Sequence, residues 1–157
     1  MHRLHLMGTL SRTERPFFKN QFRDKANKSE VDLAKKVLVA DDDFLIRWSL
    51  TEVLSEQGYL VKAVENGDKA LEAINAERFD FIITDLVMPG RDGWEVLQYT
   101  KGTYPKTKVV VISAYGTQDT EAMAKERGAY GYIEKPEIID KIMTLVGGGR
   151  SMLQKPL

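Results

Sequence analysis

From Val37 onward the chain alternates short apolar runs with stretches whose apolar residues recur every three or four positions. The runs read as buried strands and the recurrent stretches as helices with one inward face. Four runs stand out: Val37-Leu38-Val39-Ala40, Phe81-Ile82-Ile83, Val109-Val110-Val111-Ile112 and Tyr130-Gly131-Tyr132-Ile133, and Tyr59 to Val64 adds a fifth strand. Between them, Asp43 to Gln57 places Ile46, Leu50, Val53 and Leu54 on one helical face, and Gly58 follows where glycine favours a helix end. Asn66-Gly67 turns the chain into a helix starting near Asp68, with Ala70, Leu71 and Ile74 inward. Gly93 to Lys101 buries Trp94 or Val96 together with Leu97, Gln118 to Arg127 is closed by Gly128, and Glu137 to Val146 is the last helix. Five β-α units in about 110 residues predict a doubly wound α/β fold, with one parallel sheet covered by helices on both faces.

The ends of the strands carry the candidate chemistry. Val37–Ala40 leads into Asp41-Asp42-Asp43, the Phe81 run ends on Asp85 before a turn at Pro89-Gly90, the Val109 run ends on Ser113, and the Tyr130 run precedes Lys135-Pro136. In a parallel sheet these positions converge on one edge, which is where open α/β sheets bind ligands. Each residue also has a plain structural reading. Asp43 suits a helix N-terminus, a strand-end Asp suits a turn, Ser113 suits a backbone cap, and a lone Lys suits a solvated surface. The convergence of acids, a hydroxyl and an amine favours a site.

Composition narrows the class. A chain of 157 residues without cysteine forms neither disulfides nor thiolate metal sites, and its apolar stretches are all shorter than the ~18 residues of a membrane span. The start of the chain lacks the long apolar segment of a secretory signal, so the expectation is a cytoplasmic protein. Charge is uneven along the chain. Residues 1 to 36 carry nine Lys or Arg against four acids, residues 37 to 146 twelve against nineteen, and the last eleven two against none, or +5, −7 and +2. An acidic central region argues against direct nucleic-acid binding by the folded part. The organisation expected is a basic extension over 1–36, flexible or a short helix, a domain over 37–146, and a tail over 147–157.

Four blocks carry a resemblance: Val37 to Asp43, Asp85-Leu86-Val87-Met88-Pro89-Gly90 with Asp92-Gly93, Val111-Ile112-Ser113-Ala114, and Tyr132-Ile133-Glu134-Lys135-Pro136. In their order and intervals they resemble the receiver domain of two-component response regulators. The resemblance implies strand order 2-1-3-4-5, a flavodoxin-like three-layer sandwich. It implies Asp85 as the phospho-acceptor and a Mg²⁺ ion held by Asp41, Asp42, Asp85 and the backbone carbonyl of Val87. It further implies Lys135 and Ser113 as partners of the phosphoryl group, and Ser113 with Tyr132 as the switch acting on the surface of the fourth helix, fifth strand and fifth helix. Receivers usually carry a cis peptide at the dipeptide corresponding to Lys135-Pro136. Hard carboxylate oxygens suit Mg²⁺, and an ammonium and a hydroxyl suit an anion that gathers charge during transfer.

The partners implied are a sensor histidine kinase or histidine phosphotransfer protein, a downstream protein target, and a phosphorylation-dependent homodimer. The resemblance implies a regulatory phospho-acceptor rather than an independent enzyme, with at most self-phosphorylation and self-dephosphorylation. After Val146 only eleven residues remain, so the sequence reads as a stand-alone receiver or as a fragment of a longer transcriptional regulator, with Gly147-Gly148-Gly149 opening a linker. An unphosphorylated scaffold of the same fold is the alternative. An Asp-nucleophile phosphatase is disfavoured because Val87 stands where that chemistry places a second Asp, and a dinucleotide protein because no glycine-rich loop opens the first helix.

Overall fold

The computed structural model describes residues 33–147. The basic extension and most of the tail expected from the sequence lie outside the described residues. The strands are β1 (Lys36–Ala40), β2 (Leu60–Val64), β3 (Phe81–Asp85), β4 (Lys108–Ser113) and β5 (Gly131–Glu134), alternating with helices α1 (Phe44–Glu56), α2 (Gly67–Ala76), α3 (Gly93–Thr103), α4 (Gln118–Glu126) and α5 (Ile138–Val146). They form one parallel sheet in the order β2-β1-β3-β4-β5. The order and the parallel pairing agree with the expectation.

The three central strands are covered on both faces, which explains their nearly unbroken apolar sequence. Alternate residues feed two separate cores. Leu38, Ala40, Ile82, Val109 and Val111 pack with Ala70 and Ile74 of α2, Val96 and Leu97 of α3 and Ala124 of α4. On the other face Val37, Val39, Ile83, Val110, Ile112 and Ile133 pack with Leu50 and Leu54 of α1 and Ile138, Ile142 and Val146 of α5. Val96 and Leu97 are the fully buried pair of α3, whereas Trp94 is half-buried with the Arg127 guanidinium 4.8 Å above its ring.

Caps set the helix boundaries. Asp43 accepts from the Leu45 amide, Asn66 from Lys69, and Asp92 forms a reciprocal capping box with Glu95. Two details differ from expectation. Tyr59 precedes β2 instead of belonging to it, and its hydroxyl donates to the Val146 carbonyl at the end of α5. The Lys135–Pro136 peptide is not cis. Pro136 lies within a 3₁₀ turn over Lys135–Glu137 that leads into α5, an early helical position where the missing amide proton removes no needed bond.

Candidate functional site: an acidic cleft at the carboxyl edge

The register of the sheet assembles the site. Ala40 pairs with Thr84, so Asp41, one residue on, lies beside Asp85 at the end of β3. Asp85 pairs with Ile112 and Ser113 with Glu134, so Ser113 and Lys135 each lie one step past these partners. Neighbouring strands are ~4.8 Å apart, and a lysine stem spans the remaining distance from β5.

Lys135 Nζ donates to Asp85 Oδ2 at 2.9 Å and to Asp41 Oδ1 at 3.2 Å, and lies 3.0 Å from Asp41 Oδ2. Asp41 Oδ1 also accepts from the Asp43 amide at 2.8 Å, and Asp85 Oδ1 from the Val87 amide at 3.3 Å. Asp41 is fully buried, and its Oδ2 has no hydrogen bond of good geometry. Burial is the largest influence on Asp41 and holds its carboxyl above the usual carboxylate range, although the Asp43 amide and Lys135 pull the other way. Burial opposes the charge on Lys135, but its bonds to Asp85 and Asp41 outweigh this and hold the ammonium above the ordinary lysine value.

Carboxylate oxygens of Asp41, Asp42 and Asp85 lie within 4.8 Å of one another. Three carboxylates beside one ammonium leave an excess of negative charge. The under-bonded Asp41 oxygen and the all-oxygen donor set fit a hard divalent cation such as Mg²⁺. Receiver domains generally bind Mg²⁺ through such an acidic pocket.

The cleft in front of these groups measures about 530 Å³ and is lined by Asp42, Asp85, Val87, Trp94, Ser113 and Tyr115 among others. Val87 and Tyr115 stand on its rim, 76% and 94% exposed. Ser113 is buried and its Oγ accepts from the Tyr115 amide at 3.3 Å. α3 closes in from below. A Cβ on Gly93 would lie 2.0 Å from the Asp85 carbonyl oxygen, so only glycine lets that helix start so close to the strand end.

Asp41, Asp42, Asp85, Val87, Ser113 and Lys135 are thus brought to one edge, as the sequence implied. Tyr132 lies apart from the carboxylates, half-buried against the core of the α2–α4 face, with its hydroxyl buried and without a partner. Such an orphan hydroxyl costs about 1–3 kcal/mol. Asp43 is a helix cap rather than a member of the cluster. Arg47 went unread in the sequence. Its guanidinium donates to the Asp41 carbonyl at 2.8 Å and steadies the turn between β1 and α1, a contact to a backbone atom that residue types do not signal.

A five-stranded, doubly wound sheet with an acid cluster and a lysine at its carboxyl edge defines a receiver-like α/β protein. Residues 37–147 match the family model of the response regulator receiver domain, so the chain belongs to that family. It is similar to sporulation initiation phosphotransferase F of Bacillus subtilis, 37% identical over 112 residues, which are 71% of this chain and 90% of that one. It is also similar to the DNA-binding transcriptional regulator NtrC of Escherichia coli K12, 36% identical over 110 residues, 70% of this chain and 24% of that one. The chain therefore spans about a quarter of the length of the NtrC proteins it matches. Among solved structures, the Francisella response regulator 1452 receiver domain aligns with TM-score 0.68 and 31% identity over 72% of this chain and 93% of that one. A Burkholderia pseudomallei response regulator, solved with a phosphorylated aspartic acid, a calcium ion and citrate, aligns with TM-score 0.66 and 30% identity over 71% and 65%. The class is that of two-component and phosphorelay response regulators, whose receivers take phosphate from histidine kinases or phosphotransfer proteins. Among the described residues no helix is long and apolar enough to cross a membrane.

Proposed function

We propose that this receiver accepts a phosphoryl group on Asp85 from a phosphohistidine of a kinase or phosphotransfer protein, and thereby switches its affinity for a downstream protein target. The supporting observation is the Lys135 ammonium, 2.9 Å from Asp85 and 3.2 Å from Asp41, beside three clustered carboxylates. In the transfer an Asp85 carboxylate oxygen attacks phosphorus, the P–N bond to the donor imidazole breaks, and the leaving imidazole takes up a proton. Asp41, Asp42, Asp85 and the Val87 carbonyl would hold Mg²⁺, which when bound offsets the charge of the incoming phosphoryl oxygens. Lys135 holds an ammonium against that charge, and the Ser113 hydroxyl donates to a phosphoryl oxygen. Lys135 already contacts Asp85, whereas the Ser113 hydroxyl, which accepts from the Tyr115 amide, turns to the phosphoryl group on its arrival.

The switch reading pairs Ser113 with Tyr132. As the hydroxyl turns to the phosphoryl group it opens space into which the tyrosine ring rotates, and this alters the surface of α4, β5 and α5, biasing an equilibrium that exists without phosphate. The protein works in the cytoplasm, and a homodimer formed on phosphorylation is one form the output takes. The length of the NtrC relatives also supports a second reading, a receiver belonging to a longer regulator. Thermal melting with Mg²⁺ and beryllium fluoride tests the proposal. The wild type gains stability with both present and Asp85→Asn does not, whereas an equal gain in the variant would place the phosphoryl mimic elsewhere.

A further inference from the structure

We infer that Gly67 and Asp68, at the start of α2, are positioning residues for the acidic site: they hold the loop after Asp85 so that the site suits Mg²⁺ better than the larger Ca²⁺. The inference rests on the reading of the Val87 carbonyl as a metal ligand. Asp41, Asp42 and Asp85 offer side-chain oxygens, which rotation about their own bonds re-aims. The Val87 carbonyl belongs to the backbone and goes only where its loop goes.

The two ends of that loop are fixed locally. The Leu86 amide donates to the Ile112 carbonyl at 3.1 Å, the Gly93 amide donates to the Leu86 carbonyl at 3.0 Å, and the Asp92–Glu95 capping box sets the start of α3. The tip, Gly90-Arg91, rests on α2 instead. A Cβ on Gly67 would lie 2.0 Å from the Arg91 carbonyl oxygen and 2.6 Å from its carbon. Beside it, a Cβ on Gly90 would lie 2.4 Å from Asp68 Oδ2, and Arg91 Nε lies 3.3 Å from Asp68 Oδ1.

Alanine at residue 67 would disturb this contact in a definite way. Gly67 is not among the glycines with positive φ, so its backbone accepts a side chain. The methyl meets backbone, which has no flexible end to swing aside, and helix and loop must part until the 2.0 Å approach exceeds 3.0 Å. α2 is the fixed partner, because Ala70, Ala73 and Ile74 are buried in the core and Asn66 caps its first turn. Pro89, Gly90 and Arg91 are exposed, so the tip yields. Val87 lies four residues before Arg91 in the same closed loop and shifts with it.

Such a shift separates the two cations. Mg²⁺ demands near-octahedral oxygens at about 2.0–2.1 Å, whereas Ca²⁺ accepts six to eight at about 2.3–2.6 Å in a flexible arrangement. A displaced carbonyl stays within reach of Ca²⁺ and is lost to Mg²⁺. The plain alternative makes Gly67 a packing residue and Asp68 a favourable charge in the first turn of a helix, roles that affect both cations alike.

The test is isothermal titration calorimetry of the full chain with magnesium chloride and, separately, calcium chloride. Gly67→Ala weakens Mg²⁺ binding roughly tenfold, the low end of what losing an outer support costs a metal site, and Ca²⁺ binding less than about twofold. Asp68→Ala moves the ratio the same way by less, because its ion pair is exposed, and Asp68→Asn, which keeps an oxygen for Arg91, restores the wild-type ratio. Circular dichroism confirms that Gly67→Ala is folded, and the Asp68 variants stand independently of it. Amide hydrogen exchange of residues 86–91 without metal reads the loop itself and is faster in both alanine variants. Equal weakening of the two cations, or a wild-type ratio in both alanine variants, overturns the inference and leaves the metal reading intact. A wild type that binds neither cation, with exchange still faster in the variants, overturns the metal reading and leaves the hold of α2 on the loop intact.

Discussion

Replacing Lys135 by Met keeps most of the stem's volume and removes the charge that joins two buried acids. The side chains of Asp41 and Asp85 are 0% and 6% exposed and that of Lys135 17%, so both carboxylates lose their ammonium in a place where water substitutes poorly. Breaking a buried pair by deleting one member costs about 3–5 kcal/mol. The cleft is open on the Asp42 side, which favours the low end, ~3 kcal/mol. For a domain of about 110 residues this lowers Tm by ~12 °C. The deficit depends on pH in a definite sense. Burial already raises the folded pKa of Asp41 above its unfolded value, and loss of Lys135 raises it further. A proton then stands in for the ammonium in mildly acidic solution, so the deficit is smallest just above the ordinary carboxylate range and grows as pH rises through the folded pKa. Mg²⁺ at a hundredfold excess over its Kd stabilises either protein by about 2.7 kcal/mol, and the gap narrows to the extent that the variant, whose acids have lost their ammonium, binds the ion more tightly than the wild type. Differential scanning fluorimetry of both proteins, with EDTA and with Mg²⁺ across pH, reads all three effects. A variant that melts with the wild type in EDTA, or whose deficit shrinks with rising pH, would refute the electrostatic account.

Asp42→Asn removes one of three like charges clustered within 4.8 Å, and at this exposed position relieves ~1 kcal/mol of repulsion. Its Tm therefore rises in EDTA, while the stabilisation by Mg²⁺ expected of the wild type is lost; a full Mg²⁺ response would remove Asp42 from the proposed ligand set. Gly93→Ala puts a methyl against the Asp85 carbonyl and the Leu86 Cα, at 2.0 and 2.8 Å, so α3 must shift at a cost of about 1–3 kcal/mol. Phosphorylation by a small acyl-phosphate donor slows with it, and unchanged stability and rate would show that the close approach is unimportant. Val87 stands on the cleft rim, and under the proposed function its apolar side chain is expected to slow the entry of a hydrolytic water. Val87→Asn shortens the half-life of the acyl phosphate, measured by loss of the phosphorylated mass, and a longer half-life would contradict that role.

Most of the sheet edge was legible because it depends on strand ends and order. In a parallel sheet each strand-to-helix turn leaves on the same side, so knowing that apolar runs end at Ala40, Asp85, Ser113 and Glu134 already places Asp41 and Lys135 together. Helix phase was legible for α1, where Leu50 and Leu54 are fully buried, but Trp94 and Val96 competed for the inward face of α3. Val96 takes it because the larger Trp94 ring covers the core's margin and stacks with Arg127, a residue beyond α4 that no local pattern connects to it. The isomer at Pro136 is not legible in the sequence, because it belongs to the 3₁₀ turn that enters α5. The approach of Gly116 to Tyr132 joins a loop after β4 to a side chain on β5. Such a contact between distant positions leaves no periodic trace in the sequence.

The most direct measurement is to incubate the protein with Mg²⁺ and a small acyl-phosphate donor, then read intact mass and locate the modification by peptide mapping. One phosphoryl group on Asp85, gained with Mg²⁺ and absent in Asp85→Asn, is the predicted result. A protein that stays unmodified under conditions that label an authentic receiver, or that carries the group on another residue, would contradict the account.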